Sequence, residues 1–339
     1  MITLITEKKD YSLKAIAVYR SFGSVYFLQD IEKDKKKKRE IMQKTNILVV
    51  RLAHTINKSW MDTMSNLKII ATNTTGLNHI DTAYAREKHV KVISLRGHTS
   101  FLKDIPSTAE LTMALIFTLM RNIPWAHIHV SGSGSVGQRW NRDIFKGNQL
   151  FGKTLGIVGF GRLGKIVARY AKVFGMNVVA YDPYISRVSF GKIKKVSLDE
   201  LCKRADIISL HASFDPEHPQ IIFGEKEFEK MRSGAYFINT ARGELIDEEA
   251  FLNVLKSNKL GGVALDVVAN EREDGSHLRS GLGSWLRGRI QSSLGNGFQQ
   301  SETKLILVPH LGGATYEAMQ ITEEFIADLV KKYFGKKRK

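Results

Sequence analysis

Three short motifs carry side chains suited to acid–base chemistry on a small anionic molecule. Arg242 lies in NTARGELIDEEA, Glu271 ends GGVALDVVANE, and His310 lies in PHLGGAT. Each side chain comes after a segment with the apolar composition of a β-strand, and ligands of open α/β sheets bind beyond the carboxyl ends of the strands. We therefore expect the three residues to be neighbours in one cleft. Taken singly, the arginine could pair with an acid, the histidine could be structural, and the glutamate could be a solvated loop charge.

A glycine-rich turn predicts a second ligand site, for a dinucleotide. Gly159, Gly161 and Gly164 have GxGxxG spacing, directly after the predicted strand that ends at Val158. In such turns the first glycine permits the tight bend, the second lets the backbone approach a pyrophosphate, and the third allows close packing of the helix on the strand. Asp182 follows the next predicted strand, 21 residues after Gly161, as suits a carboxylate that binds the adenosine ribose.

The acid at position 182 favours NAD over NADP as the cofactor, because a carboxylate there repels a ribose 2′-phosphate. Arg187 lies nearby in the sequence but does not replace the acid. The alternative is a glycine-rich turn that closes a strand and a helix without binding any nucleotide. The order of strand, motif, helix, second strand and acid favours the dinucleotide.

Alternating strand-like and helical segments must position these side chains. Short runs rich in valine and isoleucine are predicted as strands at 47–50, 68–71, 91–94, 154–158, 177–181, 206–211, 235–239, 262–266 and 305–308. Their continuous apolar character is typical of parallel sheets covered by helices on both faces, so the fold class is α/β. The length of 339 residues predicts two domains.

Three further segments shape the organisation of the chain. Residues 107–121 predict a long buried helix with a Ser–Thr start as its cap and Glu110 in its first turn, and this helix could join the two domains. The run SGSGS at 131–135 predicts a flexible connection. The segment 272–301, rich in Gly, Ser and Gln over 280–301, is not expected to enter the core and is expected to loop outward.

The composition is that of a soluble protein with a large excess of cations. There are 51 Lys and Arg against 34 Asp and Glu, a formal net charge of +17, with basic runs at 33–39 and 331–339. We interpret these runs chiefly as solvated surface, with attraction of anionic metabolites into a basic cleft as a second possibility. Binding to nucleic acid or an anionic membrane is not favoured, since neither run has an interleaved aromatic platform or a recognisable binding motif.

The residue types also exclude several classes of chemistry and location. Cys202 is the only cysteine, so no intrachain disulfide forms, and no motif of a cysteine enzyme surrounds it. The ten histidines show no metal-binding spacing, so metal catalysis is not expected. The N-terminal residues lack the apolar stretch of a secretory signal, and the longest apolar run, 111–120, is too short to span a membrane. A cytoplasmic protein is expected.

Nearly the whole chain closely resembles the D-isomer-specific 2-hydroxyacid dehydrogenases, particularly the branch that includes D-3-phosphoglycerate dehydrogenase. The resemblance rests on GFGRLG with Asp182, on NTARGELIDEEA, on GGVALDVVANE and on PHLGGAT. It implies two Rossmann-like, doubly wound parallel-sheet domains. A discontinuous substrate-binding domain comprises residues 1–102 and 315–339, an NAD-binding domain comprises residues 103–314, and the protein forms a homodimer. The chain ends soon after Thr315, so the C-terminal regulatory domain of many relatives is not expected.

The same resemblance implies roles for individual residues. Arg242 captures the substrate carboxylate and polarises the reacting carbonyl, His310 exchanges the hydroxyl proton, and Glu271 orients the imidazole. The implied cofactor-binding residues are Thr75, Gly159, Phe160, Gly161, Arg162, Leu163, Gly164, Asp182, Ala212, Thr240, Ala241, Asp266, Gly312 and Gly313. The implied substrate-binding residues are Arg51, Thr75, Gly76 and Arg242.

Two departures from the family pattern bear on the substrate and the activity. Arg272 follows Glu271 where family members often have proline, and 39 residues separate Glu271 from His310, which is long for this branch. The predicted activity is hydride transfer between nicotinamide C4 and C2 of a D-2-hydroxy acid or 2-oxo acid. Substrates similar to 3-phosphoglycerate, to glyoxylate or hydroxypyruvate, and larger 2-oxo acids stay open. The alternative function is that of an NAD-sensing corepressor without turnover, as in some relatives.

Overall fold

The computed structural model describes residues 1–131, 140–185, 193–215, 218–271, 274–279, 281–295 and 302–336. Two compact units are formed. The first comprises the described residues of Met1–Ile105 and Ala314–Lys339 together with Asp274, and the second those of Pro106–Glu271 and Gly275–Gly313. The predicted connection at 132–135, Arg187 and Arg272 lie outside the described residues.

The first unit is a five-stranded parallel sheet in the order β2-β1-β3-β4-β5. The strands are β1 (Ile2–Ile5), β2 (Ser24–Phe27), β3 (Ile47–Val50), β4 (Ile69–Thr72) and β5 (Lys91–Ile93). The helices are α1 (Leu13–Arg20), α2 (Leu28–Ile31), α3 (Lys35–Lys44), α4 (Lys58–Asp62), α5 (Thr82–Glu87), α6 (Thr99–Leu102) and α14 (Tyr316–Lys336). Alternate strand residues enter two hydrophobic clusters, one that includes Ile326 of α14 and one that includes Ile41 of α3.

The second unit is a seven-stranded parallel sheet in the order β12-β11-β10-β9-β6-β7-β8. Its strands are β6 (Thr154–Val158), β7 (Asn177–Tyr181), β8 (Lys194–Lys195), β9 (Ile207–Leu210), β10 (Tyr236–Asn239), β11 (Gly262–Leu265) and β12 (Lys304–Leu307). Its helices are α7 (Ser107–Met120), α8 (Ile123–Ser131), α9 (Arg162–Val173), α10 (Leu198–Arg204), α11 (Glu225–Lys230), α12 (Glu248–Lys256) and α13 (Gly281–Gly295). Single 3₁₀ turns occur at Asp143–Phe145, Gly243–Leu245 and Ser276–Leu278. Both sheets confirm the predicted α/β class with parallel strands.

Helix α7 is buried along one side, as predicted, but begins differently. Its core residues include Met113, Ile116 and Leu119. The helix starts after Pro106, and no side chain of the described chain caps it, whereas we expected a Ser–Thr cap. Proline has a fixed φ that suits a helix start, so Ser107 lies inside the first turn. The helix belongs to the second unit.

Helix α13 overturns the expectation that the Gly/Ser-rich segment stays outside the core. Leu286 is 1% exposed and joins Leu282 in a hydrophobic cluster of the second unit, with Trp285 and Ile290 packed against it. The apolar residues 282, 286 and 290 recur every four positions and form one helical face, which the Gly and Ser between them concealed. Residues 280 and 296–301 of this segment lie outside the part of the chain that the structure describes.

None of the helices formed by the described residues is both long enough and apolar enough to cross a bilayer.

Candidate active site

The glycine-rich turn joins β6 to α9 at the point where the chain order in the second sheet reverses. β6 lies between β7 and β9, so the carboxyl ends of β6 and β9 flank a crevice. Gly159 has a φ of +90°, and a Cβ there would lie 2.5 Å from the backbone nitrogen of Ala212 after β9. The first glycine of the motif is therefore required by both the bend and the close approach.

The other two glycines of this motif differ in their surroundings. A Cβ on Gly164 would collide with the carbonyl oxygen of Gly159, so this glycine allows α9 to pack on the turn. A Cβ on Gly161 would have no atom within 4 Å. Gly161 is also the N-cap of α9, and no side chain of the described residues caps this helix. An open backbone at a helix N-terminus fits the pyrophosphate of a dinucleotide, with Arg162 and Leu163 in the first turn.

Asp182 is buried at the end of β7 and is bonded to the glycine-rich turn. One carboxylate oxygen accepts the N–H of Phe160 at 2.9 Å, and the other accepts the N–H of Tyr184 at 2.9 Å. These bonds hold the carboxylate beside the turn and leave lone pairs that can accept ribose hydroxyls.

His211 precedes Ala212 after β9 and is a neutral imidazole. Burial lowers its pKa to about 4. Its Nε2 lies 2.9 Å from Oγ of Ser209, whereas its Nδ1 is buried with no hydrogen-bond partner in the described chain.

The loop after β10 is shaped by the fully buried side chain of Asn239. Its Oδ1 accepts the N–H of Ala241 at 2.9 Å, and its Nδ2 donates to the carbonyl of Arg242 at 2.8 Å. Thr240 Oγ1 lies 2.9 Å from Oγ1 of Thr112 on α7. Asn239 therefore fixes the backbone at Ala241, a predicted cofactor residue, and at Arg242.

Arg242 lies at the end of this loop, bonded to the backbone of Ala241 and within the field of three acids. Its Nη1 donates to the carbonyl of Ala241 at 2.6 Å. Burial lowers the pKa of Arg242, while the charges of Glu244, Glu271 and Asp266 raise it. Guanidinium groups stay protonated in proteins, so Arg242 is a partly desolvated cation.

Gly243 brings the loops after β10 and β11 together. A Cβ on this residue would collide with the backbone of Val268 and Ala269. Only glycine permits that approach, which places Arg242 near Glu271. The sequence alone predicts no role for Gly243 or Asn239, although both stand in the motif that contains Arg242.

The candidate acid–base group is the hydrogen-bonded pair of His310 and Glu271. His310 Nδ1 lies 2.6 Å from Glu271 Oε2, and Glu271 Oε1 accepts the N–H of Val268 at 2.8 Å. An ionised carboxylate only accepts hydrogen bonds, so Nδ1 carries the proton and Nε2 remains to exchange one. The structure thus brings Arg242, Glu271 and His310 together on neighbouring strand ends.

Asp266 holds the loop that carries His310. Its carboxylate accepts the N–H of Leu311 at 2.5 Å and that of Gly312 at 2.9 Å. The backbone N–H of His310 donates to the carbonyl of Asp266 at 2.9 Å, and His310 has a left-handed φ of +52°. Burial raises the pKa of Asp266, and the hydrogen bonds from Leu311 and Gly312 and the nearby His310 oppose that rise. Asp266 was predicted as a cofactor residue, and its observed contacts maintain the unusual backbone of His310.

The glycines that follow His310 complete the second unit's site. Gly312 accepts a hydrogen bond from Oγ1 of Thr108 at 2.9 Å, and a Cβ on Gly312 would lie 2.9 Å from Asp266 Oδ2. Gly313, in contrast, has open space where a Cβ would stand.

The predicted substrate residues outside the motif loops belong to the first unit. Arg51 follows β3 and forms an ion pair with the fully buried Glu323 of α14. Thr75 and Gly76 follow β4, where Oγ1 of Thr74 donates to the carbonyl of Gly76 at 2.8 Å. The partnership of Arg51 with Glu323 was not anticipated, because 272 positions separate them in the sequence.

The described residues contain neither a metal-binding cluster nor a reactive cysteine. No group of three or more His, Cys, Asp and Glu side chains there could hold a metal ion. Cys202 is buried, and burial raises the pKa of its thiol to about 12, so it is inert at neutral pH.

The sequence model of a known family matches most of the second unit. It is described as D-isomer specific 2-hydroxyacid dehydrogenase, NAD binding domain, and it matches residues 113–312. The chain belongs to this family. As a 2-hydroxyacid dehydrogenase family member it is an NAD-dependent oxidoreductase, and the open turn at Gly161 beside Asp182 fits that cofactor.

Relatives of this family member include two proteins named for their reactions. D-3-phosphoglycerate dehydrogenase of Methanocaldococcus jannaschii is 34% identical over 94% of this chain and 55% of its own length. The chain therefore spans about half of that relative. Hydroxypyruvate reductase of Thermotoga maritima is 35% identical over 86% of this chain and 85% of its own length.

Solved structures show the same fold. The TT0316 protein of Thermus thermophilus is 28% identical with a TM-score of 0.72, over 96% of this chain and 94% of that one. D-lactate dehydrogenase of Aquifex aeolicus, solved with NAD and lactic acid, is 24% identical with a TM-score of 0.78, over 99% and 96%. The comparisons do not support the alternative function as a corepressor.

Proposed function

We propose that this dehydrogenase interconverts a D-2-hydroxy acid and the corresponding 2-oxo acid, with a substrate similar to 3-phosphoglycerate or to glyoxylate and hydroxypyruvate. The single observation that carries the proposal is the 2.6 Å hydrogen bond between His310 and Glu271 on loops next to Arg242. When bound, NAD accepts or supplies a hydride at nicotinamide C4, and C2 of the substrate is the other partner of that transfer.

In this proposal the residues of the second unit act on the oxygens of the substrate. Arg242 pairs with the substrate carboxylate and polarises the C2 carbonyl, because a guanidinium binds carboxylates through two parallel N–H groups. His310 Nε2 gives a proton to the C2 oxygen during reduction and removes it during oxidation. Glu271 is a positioning residue that keeps Nδ1 protonated and fixes the plane of the ring.

The remaining predicted residues have binding roles in the same proposal. Residues 103–314 form the NAD-binding domain, with the glycine-rich turn at the pyrophosphate and Asp182 at the ribose. Residues 1–102 and 315–339 form the substrate-binding domain, with Arg51, Thr75 and Gly76 as its contacts. Thr75 is also proposed as a cofactor contact, as are Thr240, Ala241, Gly312 and Gly313.

The experiment that tests the reaction follows the loss of NADH absorbance. The substrates are 3-phosphohydroxypyruvate, hydroxypyruvate, glyoxylate, pyruvate and 2-oxoglutarate, and His310→Ala is the control variant. Turnover by the natural protein that disappears in His310→Ala, with NADH binding retained, supports the proposal. Tight NADH binding without turnover of any compound would contradict it.

We also propose that the protein is a homodimer that uses the second unit. Large apolar side chains there are exposed, including Phe151 at 71% and Val173 at 79%. Scattered exposed apolar residues are normal, but several on one unit favour an interface. Light scattering should give a mass near twice 38.2 kDa, and Val173→Asp should lower it to that of the monomer. A monomeric natural protein would refute the dimer.

A cytoplasmic location is proposed from the single cysteine, since the cytosol keeps thiols reduced. Fractionation of the source cells with an antibody against the chain would test this location. Recovery in the secreted or membrane fraction would contradict it.

A further inference from the structure

Two threonines of α7 contact two loops of the candidate active site. Thr108, in the first turn of the helix, donates from Oγ1 to the carbonyl of Gly312 at 2.9 Å, in the loop after β12. Thr112, one turn later, is fully buried, and its Oγ1 lies 2.9 Å from that of Thr240 in the loop after β10. All four residues belong to the second unit, so these contacts lie within one compact body.

The direction of each hydrogen bond follows from the protons available. A threonine hydroxyl has one proton to donate and two lone pairs that accept. Oγ1 of Thr112 donates its proton to the carbonyl of Thr108 at 2.8 Å. The hydroxyl of Thr240 must therefore donate to Thr112. One chain of hydrogen bonds results, which runs from the loop after β10, through the two threonines of α7, to the loop after β12.

Hydroxyl bonds of helical threonines are ordinary when they reach only the carbonyl four positions earlier. Thr118, near the end of the same helix, forms this bond with Ala114 at 2.7 Å. Thr112 forms it as well, but its oxygen is also bonded to a residue 128 positions away in the sequence. The Thr112 hydroxyl therefore joins the helix to a loop of the site.

The chain of hydrogen bonds ends close to both side chains proposed to act on the substrate. Thr240 is two positions before Arg242, and Gly312 is two positions after His310. Gly312 is held on both sides, because its N–H donates to Asp266 at 2.9 Å and its carbonyl accepts the bond from α7. A shift of either loop relative to α7 would break this chain, so the chain fixes how the two loops lie relative to each other.

We propose that Thr108 and Thr112 are positioning residues of the dehydrogenase reaction, and that their hydroxyl chain sets the separation between the side chains of Arg242 and His310. The inference rests on the proposed function and deepens it. Proton transfer requires Nε2 of His310 at hydrogen-bond distance from the C2 oxygen of a substrate whose carboxylate is bound by Arg242. A displacement of about 1 Å between such groups can lower the rate by about a hundredfold.

The test replaces each threonine by valine, which has nearly the same shape but no hydroxyl group. With hydroxypyruvate, or whichever 2-oxo acid the protein reduces fastest, Thr108→Val and Thr112→Val should each lower kcat by about tenfold. KM and the NADH dissociation constant should change by less than about twofold, because Arg242 still binds the carboxylate and only the transition state is affected. Thr112→Ser keeps the hydroxyl group and should retain a kcat within about twofold of the natural value.

A variant with both valine substitutions distinguishes one chain from two separate contacts. Loss of one link already frees the loops from each other, so the double variant should have a kcat within about twofold of the single variants. Independent contacts would instead multiply to a loss of about a hundredfold. Thr118→Val is the matched control, because it removes a hydroxyl group that bonds Ala114 of the same helix, and it should keep the natural kcat.

A natural kcat in either Thr108→Val or Thr112→Val would overturn the inference, and so would a loss of about a hundredfold in the double variant. A loss of kcat that Thr112→Ser shares, or one matched by weaker NADH binding, would show a purely structural role and would overturn it as well. If Thr112→Val does not fold, the substitution of the half-buried Thr108 decides alone.

If the natural protein reduces no 2-oxo acid, the proposed function fails separately, and amide hydrogen exchange then tests the threonines. Without the hydroxyl group of Thr108, the N–H groups of Leu311 and Gly312 should exchange at least about threefold faster than in the natural protein. Unchanged exchange would show that α7 does not hold this loop, which would overturn the inference.

Discussion

His310 and Glu271, 39 positions apart, are joined by a 2.6 Å hydrogen bond whose two ends are both fixed by backbone groups. Glu271 is held by the N–H of Val268, and His310 is held by the carbonyl of Asp266. The plane of the imidazole is therefore set by the loops after β11 and β12. Glu271 can therefore act on His310 in two ways, through this hydrogen bond and through its negative charge.

Two substitutions of Glu271 should lower kcat by different amounts. Glu271→Gln keeps an acceptor for Nδ1 but loses the charge, so kcat should fall by about tenfold. Glu271→Leu loses both, and kcat should fall by about a hundredfold or more, since a misdirected ring cannot exchange the proton. NADH affinity should be unchanged in both variants. Steady-state kinetics with hydroxypyruvate and a fluorescence titration with NADH measure these quantities.

The control for this series is Glu225→Gln, which removes an exposed acid from the first turn of α11. It should have the kcat of the natural protein. Equal kcat values for Glu271→Leu and the natural protein would show that His310 needs no partner.

Arg242→Lys should damage substrate capture although the charge is kept. A lysine cannot form the two parallel hydrogen bonds that a guanidinium makes with a carboxylate. We expect kcat/KM to fall by about a hundredfold with NADH affinity retained. Arg232→Lys, at an exposed ion pair with Asp206, is the matched control and should leave kcat/KM unchanged. An unaltered kcat/KM in Arg242→Lys would show that the guanidinium of Arg242 does not bind the substrate carboxylate.

Alanine substitutions at the second and third glycines of the turn should affect different properties. The first should weaken NADH binding, and the second should lower stability. Gly161→Ala introduces a methyl group where the structure has open space, so stability should change by at most about 1 kcal/mol. The NADH dissociation constant should rise about tenfold or more, because that space is proposed for the pyrophosphate. Gly164→Ala should instead cost about 1–3 kcal/mol of stability, because its methyl group collides with Gly159.

Urea unfolding and NADH titration distinguish these two effects. Gly288→Ala is a control at another open glycine, exposed on α13, and it should bind NADH normally and gain stability. Normal NADH affinity in Gly161→Ala would place the pyrophosphate elsewhere.

Most of the strands at the second unit's site could be predicted, because they are short apolar runs followed at once by polar motif residues. That pattern located the loops of Arg242, Glu271 and His310. It did not show which backbones touch, so the close approach of Gly243 to Val268 required the structure.

Two other features could not be derived from local pattern. The strands Ile2–Ile5 and Ser24–Phe27 were not predicted, since each is only four residues long and Ser24–Phe27 is not fully buried. The ion pair of Arg51 and Glu323 joins opposite ends of the chain, and no local pattern encodes a contact across 272 positions.

Asp182→Asn should reduce the preference for NADH over NADPH. The charge that repels a 2′-phosphate is lost, so the ratio of the two kcat/KM values should shrink by about tenfold. The amide has only one acceptor oxygen for the N–H groups of Phe160 and Tyr184, so stability should fall by about 1 kcal/mol. Asp199→Asn, at an exposed pair with Lys230, is the control. An unaltered cofactor ratio in Asp182→Asn would show that another group selects NAD.

His211 should make the protein less stable as the pH falls. Burial lowers its pKa in the folded chain to about 4 from the ordinary value of 6.5. Below pH 6.5 the unfolded chain therefore binds a proton that the folded chain does not take up until about pH 4. The stability that the neutral imidazole contributes above pH 6.5 is lost progressively over this range, by up to about 3 kcal/mol.

Urea unfolding at pH 7 and pH 5 measures this loss. The natural protein should lose about 2 kcal/mol more of its unfolding free energy between these pH values than His211→Gln, in which the proton-binding group is absent. His218→Gln removes an imidazole that is 85% exposed, and it should show the pH dependence of the natural protein. Equal losses in the natural protein and His211→Gln would mean that the imidazole becomes protonated in the folded chain without cost.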